Sequence, residues 1–196
     1  MRMQMKLWQA MRKGEKGQFA FRVVHGGIGK SGKRKAARPF IPKKWNHLVL
    51  KSSKARGSLS LLAKRNKQVV AKVVHEYARK YGAELREQVN MGNHLHIKIR
   101  FFNRSQMQKY LRVVPGIIAR KVLSAEKGDP KGRFWDGLAF TRVLTTDYLS
   151  RRLDGYLRAN NIERDFGPEA RKTALAELSH WMSLMRRMEQ GLPVPD

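Results

Sequence analysis

The run Asn93-His94-Leu95-His96-Ile97-Lys98-Ile99-Arg100-Phe101 alternates polar and apolar residues without a break. Successive side chains of a strand point to opposite faces, so this pattern predicts a half-buried β-strand. His94, His96, Lys98 and Arg100 share one face, while Leu95, Ile97, Ile99 and Phe101 share the other and require a core. Two imidazoles two residues apart stand about 7 Å from each other along a strand. At that spacing both can reach one metal ion.

The neighbouring segments supply partners for this strand. Trp45 to Ser52 reads as a first strand, with Leu48 and Leu50 on one side and His47 and Val49 on the other. Ser58 to Tyr81 carries a helical stripe of Leu61/Leu62, Val69/Val70, Val73 and Tyr77, closed by Gly82. Glu84 to Met91 reads as a second strand, and Met91-Gly92-Asn93 turns it into the histidine strand as a hairpin. Ser105 is the expected N-cap of a helix to about Ala125, interrupted or kinked at Pro115-Gly116. A fourth strand follows over Leu138 to Leu144, then a helix from Asp147 to about Asn160 capped by Thr145 or Thr146, and a last helix from Pro168 to Glu189. The order strand-helix-strand-strand-helix-strand, with right-handed crossovers, predicts an α+β, ferredoxin-like split βαβ sandwich. The first and third strands are then central in an antiparallel sheet. The two crossover helices cover the Leu95/Ile97/Ile99 face, and the helix bearing Tyr156 is left to cap the histidine face.

The charge balance points to a polyanionic partner. Lys and Arg number 42 against 15 Asp and Glu, a formal charge of +27, which favours nucleic acid through its field and through counterion release. No apolar stretch approaches the roughly 20 residues of a membrane span. The chain has no cysteine, which excludes thiolate metal sites, disulfides and cysteine catalysis. Met1 to Met11 carry no apolar signal core, and a cytoplasmic location is the default expectation. Residues 1–44 hold thirteen Lys/Arg against the single Glu15. They read as a flexible basic arm, with Lys33, Arg34 and Lys35 as backbone contacts to nucleic acid. Residues 45–163 form the expected catalytic domain, and 164–196 a helical extension.

The helix from Asp147 brings Tyr156 and Asn160 to one face at i and i+4. A metal ion between two imidazoles and a carboxamide oxygen polarises a phosphodiester, and a phenolic oxygen beside it can attack phosphorus. Free tyrosine, with a pKa of about 10, is a poor nucleophile near neutrality, so a cation such as Lys98 or Arg152 is expected to favour its phenolate.

Met91-Gly92-Asn93-His94-Leu95-His96, followed by Phe134-Trp135 and by Tyr156-Leu157-Arg158-Ala159-Asn160, resembles the single-tyrosine HUH transposases. Within that family it looks like the REP-associated tyrosine transposases and their bacterial cousins. The resemblance runs from about Pro39 to Glu163. It implies an HUH endonuclease-like fold with a C-terminal catalytic helix, His94, His96 and Asn160 as ligands of a Mg or Mn ion, and Tyr156 as nucleophile. The implied reaction is nicking and strand transfer of single-stranded or hairpin DNA through a 5′-phosphotyrosine, by a monomer or homodimer. Two positions depart from the pattern: Gly92 and Asn161 stand where many relatives have proline.

Other residues carry two readings each. Tyr148 is the rival nucleophile, near the helix start where packing is the alternative. His47 serves as a phosphate contact or as a structural hydrogen bond. Trp135 stacks on an unpaired base or packs under the last strand. Lys98, Arg100 and Arg152 are further DNA contacts, and His25, His75 and His180 are treated as inert. The stripe Leu175, Leu178, Trp181, Met182, Met185, Met188 docks on the core or forms a dimer contact. A non-catalytic nucleic-acid-binding protein, domesticated or decayed on the same fold, is the second functional reading; binding alone requires neither Tyr156 nor Asn160. A phosphoesterase using water is a third, and it needs a carboxylate such as Asp136 or Glu163 near the pair.

Overall fold

The computed structural model describes residues 23–27, 37–126 and 131–190. Five strands, β1 (Val24–His25), β2 (Trp45–Lys51), β3 (Glu84–Asn90), β4 (His94–Arg100) and β5 (Phe140–Val143), form one antiparallel sheet in the order β1-β5-β2-β4-β3. Four helices accompany them among the described residues: α1 (Lys64–Lys80), α2 (Arg104–Val122), α3 (Asp147–Phe166) and α4 (Pro168–Glu189). The protein is therefore α+β, with β2 and β4 central, as the alternation and the crossover rule require. None of these helices is long and apolar enough to cross a membrane.

Each sheet face has its own apolar cluster. Leu48, Leu50, Leu95, Ile97, Ile99 and Phe101 meet Val70, Val73 and Val74 of α1 and Met107, Tyr110, Val114 and Ile118 of α2. On the opposite face Val89 and Leu144 meet Leu153 and Leu157 of α3. The histidine face is thus roofed by the helix that carries Tyr156.

The hairpin that presents His94 is tightly specified. Gly92 takes φ +82°, a backbone that side chains rarely adopt, and a Cβ there would lie 3.2 Å from Ser60 Oγ. Gly92 N–H donates to Asn90 Oδ1 (3.0 Å), and Met91 N–H donates to the His94 carbonyl (2.9 Å). The same hairpin explains why α1 begins at Lys64 rather than Ser58. Leu61 N–H donates to the Gly92 carbonyl (2.8 Å) and the Leu61 carbonyl accepts from Asn90 Nδ2 (2.8 Å), so its backbone is committed to the hairpin and not to a helix.

Four other expectations shift. Asn103, not Ser105, caps α2: its Oδ1 accepts from Gln106 N–H, and Gln106 Oε1 accepts from Asn103 N–H in a reciprocal box. α2 continues through Pro115, because the fully buried Val114 and Ile118 on either side outweigh a helix cost of about 3 kcal/mol. β5 starts at Phe140, and Leu138 is exposed. The basic arm is also not wholly outside the sheet. Val24 and His25 pair with β5, His25 is buried, and Arg38 Nη1 donates to the Ala139 carbonyl (2.9 Å). Lys33, Arg34 and Lys35 lie outside the described residues.

Candidate functional site

The antiparallel register sets Val49 opposite His96, His47 opposite Lys98 and Lys51 opposite His94. His47 and His96 are thus diagonal neighbours on one face, within reach for rings. His47 Nε2 lies 3.0 Å from His96 Nδ1, and the two rings stack with centroids 5.2 Å apart. The His94 ring meets His96 edge-on at 4.8 Å. From above, Tyr156 on α3 brings its ring to 5.6 Å from His96 and 6.3 Å from His47. Asn160, one turn further along the same face of α3, is buried at 1 % exposure. The structure brings His47, His94, His96 and Tyr156 into one cluster of rings.

Burial keeps all three imidazoles neutral. His47 is pushed down to about 3 by burial, then by Arg142 and His94. His94 is pushed down to about 4 by burial, then by Lys51 and Arg171. His96 sits well below its ordinary range through burial, then His47, His94 and Arg171. A neutral imidazole is the form that ligates a metal.

The hydrogen bonds also fix which nitrogens face the cluster. Asn93 Oδ1 lies 2.6 Å from His94 Nδ1. An amide oxygen only accepts, so Nδ1 carries the proton and Nε2 keeps its lone pair. In the tautomer where His96 Nδ1 donates to His47 Nε2, the His96 Nε2 lone pair is likewise exposed to the site. That atom is buried and has no hydrogen-bond partner; the unpartnered Asn160 atom is Nδ2, a donor and not a metal ligand. Such unsatisfied polar atoms are uncommon and ask for an explanation. Two lone-pair imidazole nitrogens, His94 Nε2 and His96 Nε2, would suit a divalent ion, with the Asn160 amide oxygen as the further donor it would need. His47 then acts from behind, orienting His96. Among the described residues no group of three or more His, Asp or Glu is placed to hold a metal ion.

The cations singled out in the sequence sit in different surroundings. Lys98 is not a surface group: its side chain is 3 % exposed and its Nζ lies 2.6 Å from Asp154 Oδ1 and donates to the Ser150 carbonyl (3.1 Å). It fastens α3 to the sheet. Asp154→Ala is therefore expected to cost about 2–4 kcal/mol, since it strands a buried ammonium. Urea denaturation should show this loss, with most of it recovered in Lys98→Met/Asp154→Ala; a single-variant loss below about 1 kcal/mol would contradict the assignment.

Arg100 is half-buried, pairs with Glu84 and lies over the Trp45 ring at 4.6 Å. Arg152 is half-buried on α3, one turn before Tyr156. Trp135 packs on the helical core and donates from Nε1 to the Pro115 carbonyl (2.8 Å), so its indole serves packing. Tyr148 lies at the far end of α3 with its hydroxyl accepting from Arg186 (2.8 Å). The cations that do act on the histidines are Lys51, Arg142 and Arg171. The first was readable as the next residue on the His47/Val49 face; Arg171 comes from α4 and had no local signal.

No family model matches the chain, and no curated protein matches it in sequence. Among solved structures it is similar to a protein of Deinococcus radiodurans R1 provisionally described as a transposase, at 18 % identity, over 65 % of this chain and 98 % of that one, with a TM-score of 0.41.

Proposed function

We propose that this protein nicks single-stranded DNA and transfers the strand through a covalent link to Tyr156, as a single-tyrosine HUH transposase does. The observation that carries the reading is the meeting of the Tyr156 ring with His96 and His47 at 5.6 and 6.3 Å over a buried, unpartnered His96 Nε2. A binding surface has no need of that arrangement.

His94, His96 and Asn160 would hold a Mg or Mn ion. When bound, such an ion draws charge from the non-bridging oxygens of a phosphodiester. The chain's own groups supply the rest. The phenolic oxygen of Tyr156 forms a bond to phosphorus while the bond from phosphorus to the 3′ oxygen breaks. The phenol proton ends on the freed 3′ hydroxyl, and the 5′ phosphate stays on Tyr156 as a diester, whose retained bond energy lets the step run backwards without a nucleotide cofactor. His96 is almost sealed while His94 is half-buried beside the exposed Asn93, so a strand approaches from the hairpin end.

The test is incubation with end-labelled, hairpin-bearing single-stranded DNA and Mn, followed by denaturing electrophoresis. A labelled band at the mass of protein plus DNA, lost with chelator, is the expected result. Cutting without that band would point to water as nucleophile, and binding without cutting to the non-catalytic reading; either overturns the proposal.

A further inference from the structure

The C-terminal helix does more than pack. α4 turns back at Gly167 and lies along α3 closely enough that a Cβ on Gly155 would fall 2.3 Å from Leu178. This return carries Arg171, in the first turns of α4, over the site. Its guanidinium carbon lies 5.8 Å from the Tyr156 ring centroid, and its side chain is 14 % exposed. Its charge is also felt by His94 and His96, after burial and nearer neighbours. Arg171 thus lies against the Tyr156 ring with its charge felt by His94 and His96, beside the space a scissile phosphate would take.

Its tether is an ion pair to α3. Arg171 Nη1 lies 2.8 Å from Glu163 Oε2, yet the angle misses a hydrogen bond: Glu163 Oε2 and Arg171 Nε are both buried without a hydrogen-bond partner. A guanidinium offers five donors in a planar fork that fits two phosphate oxygens. Here at least one buried N–H, that of Nε, has no hydrogen-bond partner.

We propose that Arg171 is a catalytic residue that binds the non-bridging oxygens of the scissile phosphate, with Glu163 as the positioning residue that holds it ready in the free protein. The inference rests on the Tyr156 reading above. In the transfer step Arg171 is not consumed. The tyrosyl oxygen–phosphorus bond forms, the bond to the 3′ oxygen breaks, the proton passes to that oxygen, and the guanidinium offsets the charge that gathers on the equatorial oxygens.

Removing one such donor commonly costs about 10²–10³-fold in rate. Arg171→Ala in the full chain is expected to slow adduct formation on Mn-loaded protein by that amount. Arg171→Lys should recover part of it, and Glu163→Gln should stay within about 10-fold of wild type. A purely structural ion pair predicts equal losses for Arg171→Ala and Glu163→Gln. The second readout is a substrate with a methylphosphonate at the scissile position, which removes one charged oxygen. Wild type and Arg171→Ala, compared on that substrate, should differ by much less than on the phosphodiester. A difference of the same size on both would overturn the proposal, as would wild-type rates for Arg171→Ala. Wild-type protein that forms no adduct at all would instead remove the underlying reading.

Discussion

Tyr156→Phe is expected to abolish the DNA adduct, a loss of at least about 10³-fold, while leaving the fold intact. The nucleophile in the proposed reaction is the phenolic oxygen alone. The structural contribution of Tyr156 is its ring, packed edge-on against His96 and His47 and beside the Val89, Leu153 and Leu157 cluster. Phenylalanine keeps that ring, so the urea midpoint should move little. Tyr148→Phe provides the contrast: its hydroxyl is engaged with Arg186, away from the histidines, and the adduct should persist. Residual adduct in Tyr156→Phe above that level would transfer the role to another group.

Acid should unfold the protein from the same face. In the unfolded chain the three imidazoles titrate near 6.5, whereas in the folded protein His47 and His94 are pushed to about 3 and about 4, and His96 also lies well below. Above pH 6.5 neither state binds these protons, and the stabilising contribution is complete. As pH falls below that value, the unfolded chain takes up protons that the folded state refuses, so stability drops until the folded pKa values are crossed. A tenfold difference in proton affinity between the two states corresponds to about 1.4 kcal/mol. Allowing for coupling among the rings, the loss by pH 4.5 is on the order of 3–6 kcal/mol, a large share of the 5–15 kcal/mol that holds a domain together. Urea titrations at pH 7.5, 6.0 and 4.5 measure it directly. His47→Gln removes one of the three titrating groups and should flatten the slope; an equal slope in that variant would show that the acid sensitivity lies elsewhere.

The parts of this molecule that follow local rules were legible in its sequence. Alternation over His94–Phe101 gave the strand, its two faces and the pairing of the histidines. The element order gave β2 and β4 the centre of the sheet, and the i, i+4 spacing put Tyr156 and Asn160 on one side of α3. Local rules miss the features decided by contacts distant in sequence. Lys98 belongs to the polar face by its spacing, but only the docking of α3 shows that Asp154 claims it. Pro115 reads as an interruption or a kink until the core on both sides of it is known, and Trp135 reads equally as a stacking or a packing aromatic until the Pro115 carbonyl is seen to receive its N–H. Arg171 becomes visible only once α4 is found folded back along α3, since no spacing rule connects it to a strand some seventy residues earlier. His25 lies in a basic arm with no periodic pattern to place it, yet it is buried beside β5.

The proposed chemistry stands or falls with Tyr156 as the residue that takes the phosphate. Protein incubated with hairpin-bearing single-stranded DNA and Mn, digested with nuclease and protease and examined by tandem mass spectrometry, reports this at residue level. The expected product is a nucleotide joined through its 5′ phosphate to the tyrosine of the Tyr156 peptide. A nucleotide on Tyr148 or another residue, or cleaved DNA with no modified peptide, would contradict that chemistry.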